Sequence, residues 1–152
     1  MKILLIAWLP AMLALTSCKQ AEPPVHAGSI WLINEGNIDE MVQNTPGHLL
    51  VHFSSHDKNC RYCIASNEKI VEMAREFSPG LTYARITWEP WYRGPEDVLE
   101  DYEVKDLPTY VLYRDGREFW RGAGDDEKIY AQLSRKLEVC CSTGKKKPGS
   151  GG

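Results

Sequence analysis

The chain has 152 residues, of which 43% are hydrophobic and 26% are charged, and its formal net charge is −3. This length suits one compact domain with additional terminal segments, and it is too short for two domains of ordinary size. The slightly acidic balance gives no electrostatic reason for nucleic-acid binding, so we expect no nucleic-acid partner. Five cysteines are more than a small cytosolic protein usually carries, which makes the redox environment of the protein important.

The N-terminal segment indicates export from the cytoplasm. A short basic start is followed by an uncharged apolar run over residues 3–15, which fits the core of a signal peptide and is shorter than a membrane span. The run ends in Leu-Thr-Ser-Cys, which resembles the bacterial lipobox, where the cysteine is lipidated and becomes the first mature residue. We therefore predict a lipoprotein-type signal peptide over 1–17 and lipidation of Cys18. An uncleaved anchor or an ordinary secretory signal is the alternative.

Two polar segments enclose the region that is expected to fold. Residues 18–27 are polar and contain prolines, which predicts a short tether. Residues 142–152 lack apolar periodicity and predict a disordered basic tail, whose lysines would be solvated or would contact anionic lipid. The folded domain is therefore expected over 28–141. With a lipid anchor it would lie in the bacterial cell envelope, facing the periplasm or the cell exterior.

Strand and helix patterns alternate along the first half of this domain. The apolar residues 29–34 predict a strand, and Asn37 with an acid three residues later resembles a capping box that opens a short helix. The nearly continuous apolar run at 48–54 predicts a strand buried on both faces. Helical spacing of apolar residues over 60–77 predicts a long helix, which ends at Ser-Pro-Gly and is followed by a β-branched and aromatic strand at 81–88.

The second half of the domain predicts a short helix, a hairpin and a final helix. Residues 95–104 begin with proline and two acids, as a helix start does. Two strand patterns within 109–122 are joined by Asp-Gly, which indicates a tight hairpin turn. Two aspartates at 125–126 open a helix with one apolar stripe. The order β-α-β-α-β-α-β-β-α predicts an α/β fold with one central mixed sheet and helices on both faces.

Residues 59–63 read Asn-Cys-Arg-Tyr-Cys. Two cysteines at this spacing form a redox couple, half of a zinc site or a pair of buried small side chains. Cys60 lies where a strand and a short loop lead into the long helix, so the free N–H groups and the positive dipole end should lower the pKa of its thiol. Cys63, one turn further along, should be more shielded. This arrangement is typical of dithiol–disulfide exchange.

A second stretch, Leu107-Pro108-Thr109, directly precedes the first strand of the hairpin. The strand, loop, CxxC and helix, followed downstream by a hydrophobic-Pro-Thr strand and a hairpin, closely resemble the thioredoxin family over essentially the whole folded region. The resemblance implies a thioredoxin fold for the domain over 28–141. It also implies that the bond before Pro108 is cis and that this segment packs beside the cysteine pair.

The resemblance implies a role for each of these residues. Cys60 would attack a substrate disulfide, and Cys63 would resolve the mixed disulfide. Leu107, Pro108 and Thr109 would bind substrate, with backbone groups of Leu107 offered to an extended segment. Pro108 would also occupy the space through which a metal reaches the thiolates. We expect no cofactor.

Three residues are predicted to tune this site. Arg61 and Tyr62 replace the usual Gly-Pro, and a cation beside Cys60 would favour the thiolate and make the disulfide more oxidising than that of thioredoxin. His52 corresponds to the buried acid of the family, and Arg85 corresponds to its lysine partner. A histidine that titrates near neutrality would help to move the proton of the second cysteine; the alternative is a core histidine without that role.

The remaining cysteines and histidines permit several interpretations. Cys140 and Cys141 end the last helix, where they would form a vicinal disulfide, pair with another chain or stay free, and we predict no catalytic role for them. His48, His52 and His56 near the cysteine motif suggest copper or zinc. We nevertheless predict no metal, because a closed zinc site needs about four well-placed ligands and the proline segment argues against one.

These observations predict an extracytoplasmic thiol–disulfide oxidoreductase that exchanges disulfides with protein substrates through its CxxC pair. The expected partners are protein thiols and disulfides, with a membrane electron donor or acceptor as a further candidate. We expect a monomer that is held at the membrane by its lipid anchor. Two alternatives remain: a redox-inactive binding or chaperone module in which the pair is a structural disulfide, and a metallochaperone.

Overall fold

The computed structural model describes residues 30–33, 37–88 and 96–142. Its elements follow the predicted order: β1 Ile30–Ile33, α1 Ile38–Asn44, β2 His48–Ser55, α2 Arg61–Glu76, β3 Leu81–Trp88, α3 Glu96–Asp101, β4 Thr109–Arg114, β5 Arg117–Ala123 and α4 Glu127–Cys141. The predicted signal peptide, Cys18, the tether and tail residues 143–152 lie outside the described residues and stay predictions. No helix in the described part of the chain combines the length and apolar character that a membrane crossing requires.

The five strands form one mixed sheet in the order β1-β3-β2-β4-β5. β3 is parallel to both of its neighbours, β1 and β2, because helices α1 and α2 return the chain to the same edge of the sheet. β4 is antiparallel to β2, and β5 is antiparallel to β4. The predicted fold class, a central mixed sheet within an α/β fold, is confirmed.

The central strand β2 is covered on both faces. Leu50 packs in a core cluster with apolar residues of α2 and α4, whereas Leu49, Val51 and Phe53 pack in a second cluster with residues of α1 and α3. Side chains of a strand alternate between its faces, so the even-numbered positions of β2 point toward α2 and α4. His48 and His52 therefore share the face on which both cysteine-bearing helices pack.

Local signals account for most of the element boundaries. In the β4–β5 turn, Asp115 and Gly116 have φ values of 48° and 77°, as the predicted Asp-Gly turn requires. Asp126 caps α4, and its Oδ1 accepts a hydrogen bond from the Ile129 N–H at 2.9 Å. Asn37 is the N-cap of α1, but its side chain makes no capping hydrogen bond, so the predicted capping box is wrong in that detail.

The helix predicted over 95–104 is shorter in the structure. α3 ends at Asp101, and Glu103 takes a left-handed conformation with φ of 51°. The turn is held by the Val104 N–H, which donates to the Leu99 carbonyl at 2.6 Å. This left-handed residue redirects the chain toward the segment that precedes β4.

Candidate active site

The loop before α2 delivers Cys60 to the start of that helix. The N–H of Asp57 donates to Oγ of Ser55 at 3.0 Å, and the N–H of Asn59 donates to Oδ1 of Asp57 at 2.8 Å. The Cys60 N–H in turn donates to the Asp57 carbonyl at 2.8 Å. These turn contacts make Cys60 the N-cap residue of α2, beside the free N–H groups that stabilise a thiolate.

The two cysteines of the motif differ in accessibility. Cys60 is partly exposed, whereas Cys63 is fully buried, and the two form a disulfide with a Cα–Cα distance of 5.3 Å. Buried Ser66 follows one turn later, and its Oγ donates to the Cys63 carbonyl at 3.0 Å. One accessible sulfur that can attack and one sheltered sulfur that can resolve are what disulfide exchange requires. In this fold, the pair therefore indicates a redox function.

The surface around Cys60 is both cationic and apolar. Arg61 is exposed, and Tyr62 and Ile64 are large hydrophobic side chains that are 66% and 52% exposed. An exposed guanidinium acts on a nearby thiolate through solvent, which weakens its effect. The tuning roles of Arg61 and Tyr62 stay predictions.

The substrate-binding segment predicted at 107–109 lies at the same edge of the sheet as the cysteine pair. Thr109 is opposite Phe53 in the β2–β4 ladder, close to the point where β2 leads into the loop before Cys60. The Leu107–Pro108 bond is cis, as the resemblance implies. Oγ1 of Thr109 donates to the Asp106 carbonyl at 2.6 Å, and the Pro108 carbonyl accepts from the Gly124 N–H at 2.9 Å.

These contacts decide which backbone groups remain for a substrate. The Pro108 carbonyl is already bonded within the protein, and both Pro108 and Thr109 are buried. Leu107 is half-buried, and it is the residue whose backbone the resemblance assigns to substrate. The substrate-binding role of the segment stays a prediction, and its position at the same sheet edge as the pair is compatible with that role.

His52 lies in β2 on the face that α2 covers, and it is fully buried. Its Nδ1 shares a hydrogen bond with the Tyr83 hydroxyl at 3.0 Å, and its Nε2 has no hydrogen-bond partner among the described residues. Burial, followed by the charge of Arg85 in the adjacent strand, lowers the pKa of His52 to about 3.

The expectation that His52 titrates near neutrality is therefore wrong. Burial excludes the solvation that a charged imidazole needs, and Arg85 opposes a second positive charge. His52 stays neutral at physiological pH, so any tuning of the cysteine pair would be exerted by a neutral ring. That tuning role stays a prediction.

Sequence reasoning missed two polar residues that bond to β2 on its α2-facing side. Tyr83 has its hydroxyl on His52, and burial raises the pKa of that hydroxyl above its usual range. Asn67 accepts a hydrogen bond from Oγ of Ser54 at 2.9 Å, which joins the end of β2 to α2. Two signals were available, because Tyr83 is two residues before Arg85 on one strand face and Asn67 follows Cys63 by one helical turn.

No family model matches the sequence, and a comparison with curated proteins found no match. Solved thioredoxin structures do match the fold. Fasciola hepatica thioredoxin aligns with a TM-score of 0.58 and 21% identity, over 72% of this chain and 99% of its own. The short form of spinach chloroplast thioredoxin f aligns with a TM-score of 0.63 and 12% identity, over 76% of this chain and 96% of its own.

Plasmodium falciparum thioredoxin gives a similar result, with a TM-score of 0.55 and 14% identity over 69% of this chain and 96% of its own. Each of these thioredoxins is matched over nearly its whole length, so the likeness covers a complete domain and not a single motif. This likeness, the sheet order and the CxxC motif at the start of a helix together support one conclusion. The chain has the thioredoxin fold.

Proposed function

We propose that this protein is a thiol–disulfide oxidoreductase that exchanges disulfides with protein substrates through Cys60 and Cys63. The observation that carries the proposal is the pairing of an accessible cysteine at the N-cap of α2 with a buried cysteine one turn later. The Cys60 thiolate attacks one sulfur of a substrate disulfide and releases the other as a thiolate, which gives a mixed disulfide. The Cys63 thiolate then displaces the substrate and closes the Cys60–Cys63 bond.

The surroundings of the pair support a protein substrate in particular. Exposed Tyr62 and Ile64 lie in the first turn of α2, which follows Cys60, and offer apolar contact area to a polypeptide. The segment at 107–109 runs along the same sheet edge and would align an extended chain beside Cys60. The reverse reaction, donation of the disulfide to a substrate dithiol, uses the same groups.

We further propose that the protein works outside the cytoplasm, anchored by a lipid on Cys18. The support is the signal-like apolar run followed by Leu-Thr-Ser-Cys. Incorporation of labelled fatty acid in a bacterial expression host tests this proposal. We expect label in the wild-type chain and none in Cys18→Ala, whereas equal labelling of both chains would contradict lipidation at this residue.

Insulin reduction with dithiothreitol as electron donor tests the oxidoreductase proposal. We expect wild-type protein to accelerate the reaction and Cys60→Ser to reduce the rate to that of dithiothreitol alone. Cys140→Ser is the matched control, because it removes a half-buried cysteine from another helix and should leave the rate unchanged. A wild-type rate equal to the uncatalysed rate would instead favour the redox-inactive binding module.

A further inference from the structure

The second cysteine pair meets a histidine that is distant in sequence. Cys140 and Cys141 are the last two residues of α4, and His48 is the first residue of β2. The Sγ atoms of Cys140 and Cys141 and one ring nitrogen of His48 all lie within 4.8 Å of one another. Cys141 is 2% exposed, and His48 and Cys140 are half-buried, so the cluster is sheltered and still reachable from solvent.

We propose that His48, Cys140 and Cys141 form a binding site for a thiophilic d10 cation, Cu(I) ahead of Zn²⁺. Two thiolates and an imidazole are the soft and intermediate ligands that these ions select. Structural zinc is almost always four-coordinate, so a three-ligand set leaves Zn²⁺ dependent on an added water. Cu(I) accepts a lower coordination number, which is why it is placed first.

The neighbours of His48 hold its ring in place. Nε of Arg114 donates to Nε2 of His48 at 3.0 Å, and the Phe119 ring meets the imidazole edge-on with centroids 6.1 Å apart. The Phe119 contact orients the ring, whereas the Arg114 hydrogen bond occupies the lone pair of Nε2. Binding of the cation must therefore break the Arg114 bond, so that one ring nitrogen binds the ion and the other carries the proton. The N–H of Gly47, next to His48, donates to Oδ1 of Asp115 at 2.9 Å, which fixes the start of the strand.

The position at the end of α4 also favours a cation. The C-terminal end of a helix carries the negative pole of its dipole, and the last turn of α4 contains no basic residue to offset it. The same pole disfavours free thiolates at Cys140 and Cys141. A bound cation would therefore stabilise both the thiolates and the helix end.

Oxidation state controls this site. The structure joins Cys140 and Cys141 as a disulfide. A dithiol reductant supplies two electrons and two protons, becomes a disulfide itself and leaves two protein thiols. Binding of the cation then forms two metal–sulfur bonds and releases the two thiol protons to solvent. We therefore expect only the reduced protein to bind metal.

The site is independent of the CxxC pair. His48 begins β2, and the loop to Cys60 leaves from the other end of that strand, so the two sites are separated by the length of an eight-residue strand. At about 3.3 Å per residue this is roughly 25 Å, which no single ion can bridge. The proposal does not rest on the proposed oxidoreductase function.

Metal titration of the full chain tests the site. The variant Cys18→Ser, Cys60→Ser, Cys63→Ser leaves Cys140 and Cys141 as the only cysteines. We expect this variant, reduced with a dithiol and freed of it without oxygen, to bind one equivalent of Cu(I) in competition with a chromogenic chelator. A separate titration with Zn²⁺ compares the two ions, and the oxidised protein should bind neither.

Added substitutions in this background identify the ligands. We expect Cys140→Ser and His48→Gln each to weaken binding at least tenfold, with unchanged circular dichroism. His56→Gln is the matched control, because it removes an exposed histidine from a loop at the other end of β2. Absence of binding to both ions would overturn the proposal, and so would a His48→Gln affinity equal to that of His56→Gln.

Discussion

The molecule carries two cysteine pairs at opposite ends of its helices and of its central strand. Cys60 and Cys63 lie at the N-terminus of α2, where the chain leaves β2. Cys140 and Cys141 lie at the C-terminus of α4, against the residue that begins β2. The element, the spacing and the helix end all differ between the pairs, although each pair forms a disulfide.

This difference shows how a fold assigns different chemistry to the same side chain. At a helix N-terminus, free N–H groups stabilise a thiolate, so the sulfur is activated as a nucleophile and leaving group. At a C-terminus, the carbonyl groups disfavour a thiolate unless a cation accompanies it. We therefore propose disulfide exchange for the first pair and cation binding for the second.

The largest effect should come from removal of the buried sulfur of the first pair. In Cys63→Ser, Cys60 still attacks a substrate disulfide, but no second thiolate resolves the product, so a mixed disulfide with a protein substrate accumulates. Non-reducing electrophoresis with a disulfide-bonded test protein measures it. Cys141→Ser, also at a buried cysteine, is the control and should form no adduct. Similar adduct yields from the two variants would contradict the different functions proposed for the two pairs.

His52, in the strand that leads to the first pair, should make the free energy of unfolding depend on pH. The pKa of His52 is lowered from 6.5 to about 3 in the folded protein, chiefly by burial. Between these values the unfolded chain binds a proton that the folded chain does not. His52 therefore costs no free energy of unfolding above pH 6.5, and the free energy of unfolding falls as the pH decreases from 6.5 toward 3. At about 1.4 kcal/mol per pH unit, the loss between pH 7 and 4.5 is about 2 to 3 kcal/mol.

Urea unfolding at pH 7 and at pH 4.5 measures this loss in the wild-type chain and in His52→Gln. This variant retains a hydrogen-bonding group for the Tyr83 hydroxyl. We expect the substitution to remove most of the pH dependence, even if it lowers stability at both values. His56→Gln, at an exposed position, should preserve it. If His52→Gln and wild type lose the same stability on acidification, the dependence comes from other groups.

Alkylation rates compare the two helix ends directly. Cys60 and Cys140 are both partly exposed, so the reagent can reach either sulfur, and we expect the helix-end electrostatics to set the difference. In the reduced protein at neutral pH, we expect iodoacetamide to modify Cys60 roughly fivefold to tenfold faster than Cys140, from helix-end effects of up to about 1 kcal/mol at each end. Mass spectrometry of the separated peptides gives both rates. A faster Cys140 would reverse the assignment.

The smallest effect is expected from the cation next to Cys60. Exposed Arg61 should favour the thiolate weakly, so Arg61→Ala should make the redox potential of the Cys60–Cys63 pair more negative by about 10 to 20 mV. Equilibration with glutathione buffers measures this change. Arg75→Ala alters an exposed arginine in the last turn of the same helix and should leave the potential unchanged. A shift toward positive values would contradict the proposed tuning.

Much of the fold was predictable because local periodicity reports which side faces the core. Ile38, Met41 and Val42 in α1 and Leu133 and Leu137 in α4 are buried, as their helical spacing predicted. The Asp-Gly turn and the Asp126 cap were equally predictable, since each depends on a few neighbouring residues. The end of α3 was not, because the left-handed Glu103 gives no strong signal of its own.

The candidate site was predictable in part. The CxxC spacing and the helix that follows it are local features, and the family resemblance implied that the segment at 107–109 would lie beside them. The neutral state of His52 could not be deduced, because it depends on burial beneath α2 and on Arg85 from another strand. A strand pattern identifies a buried face, but it does not say which charges the neighbouring strand contributes.

By itself, the sequence determined the order of strands and helices and the position of a cysteine pair at a helix start, because hydrophobic periodicity and helix-start patterns act over a few residues. The tertiary structure alone decided that His52 is a neutral core residue and that His48 meets Cys140 and Cys141. Both results depend on sheet register and helix docking, which many weak contacts across the whole domain set together, and no short stretch of sequence encodes them.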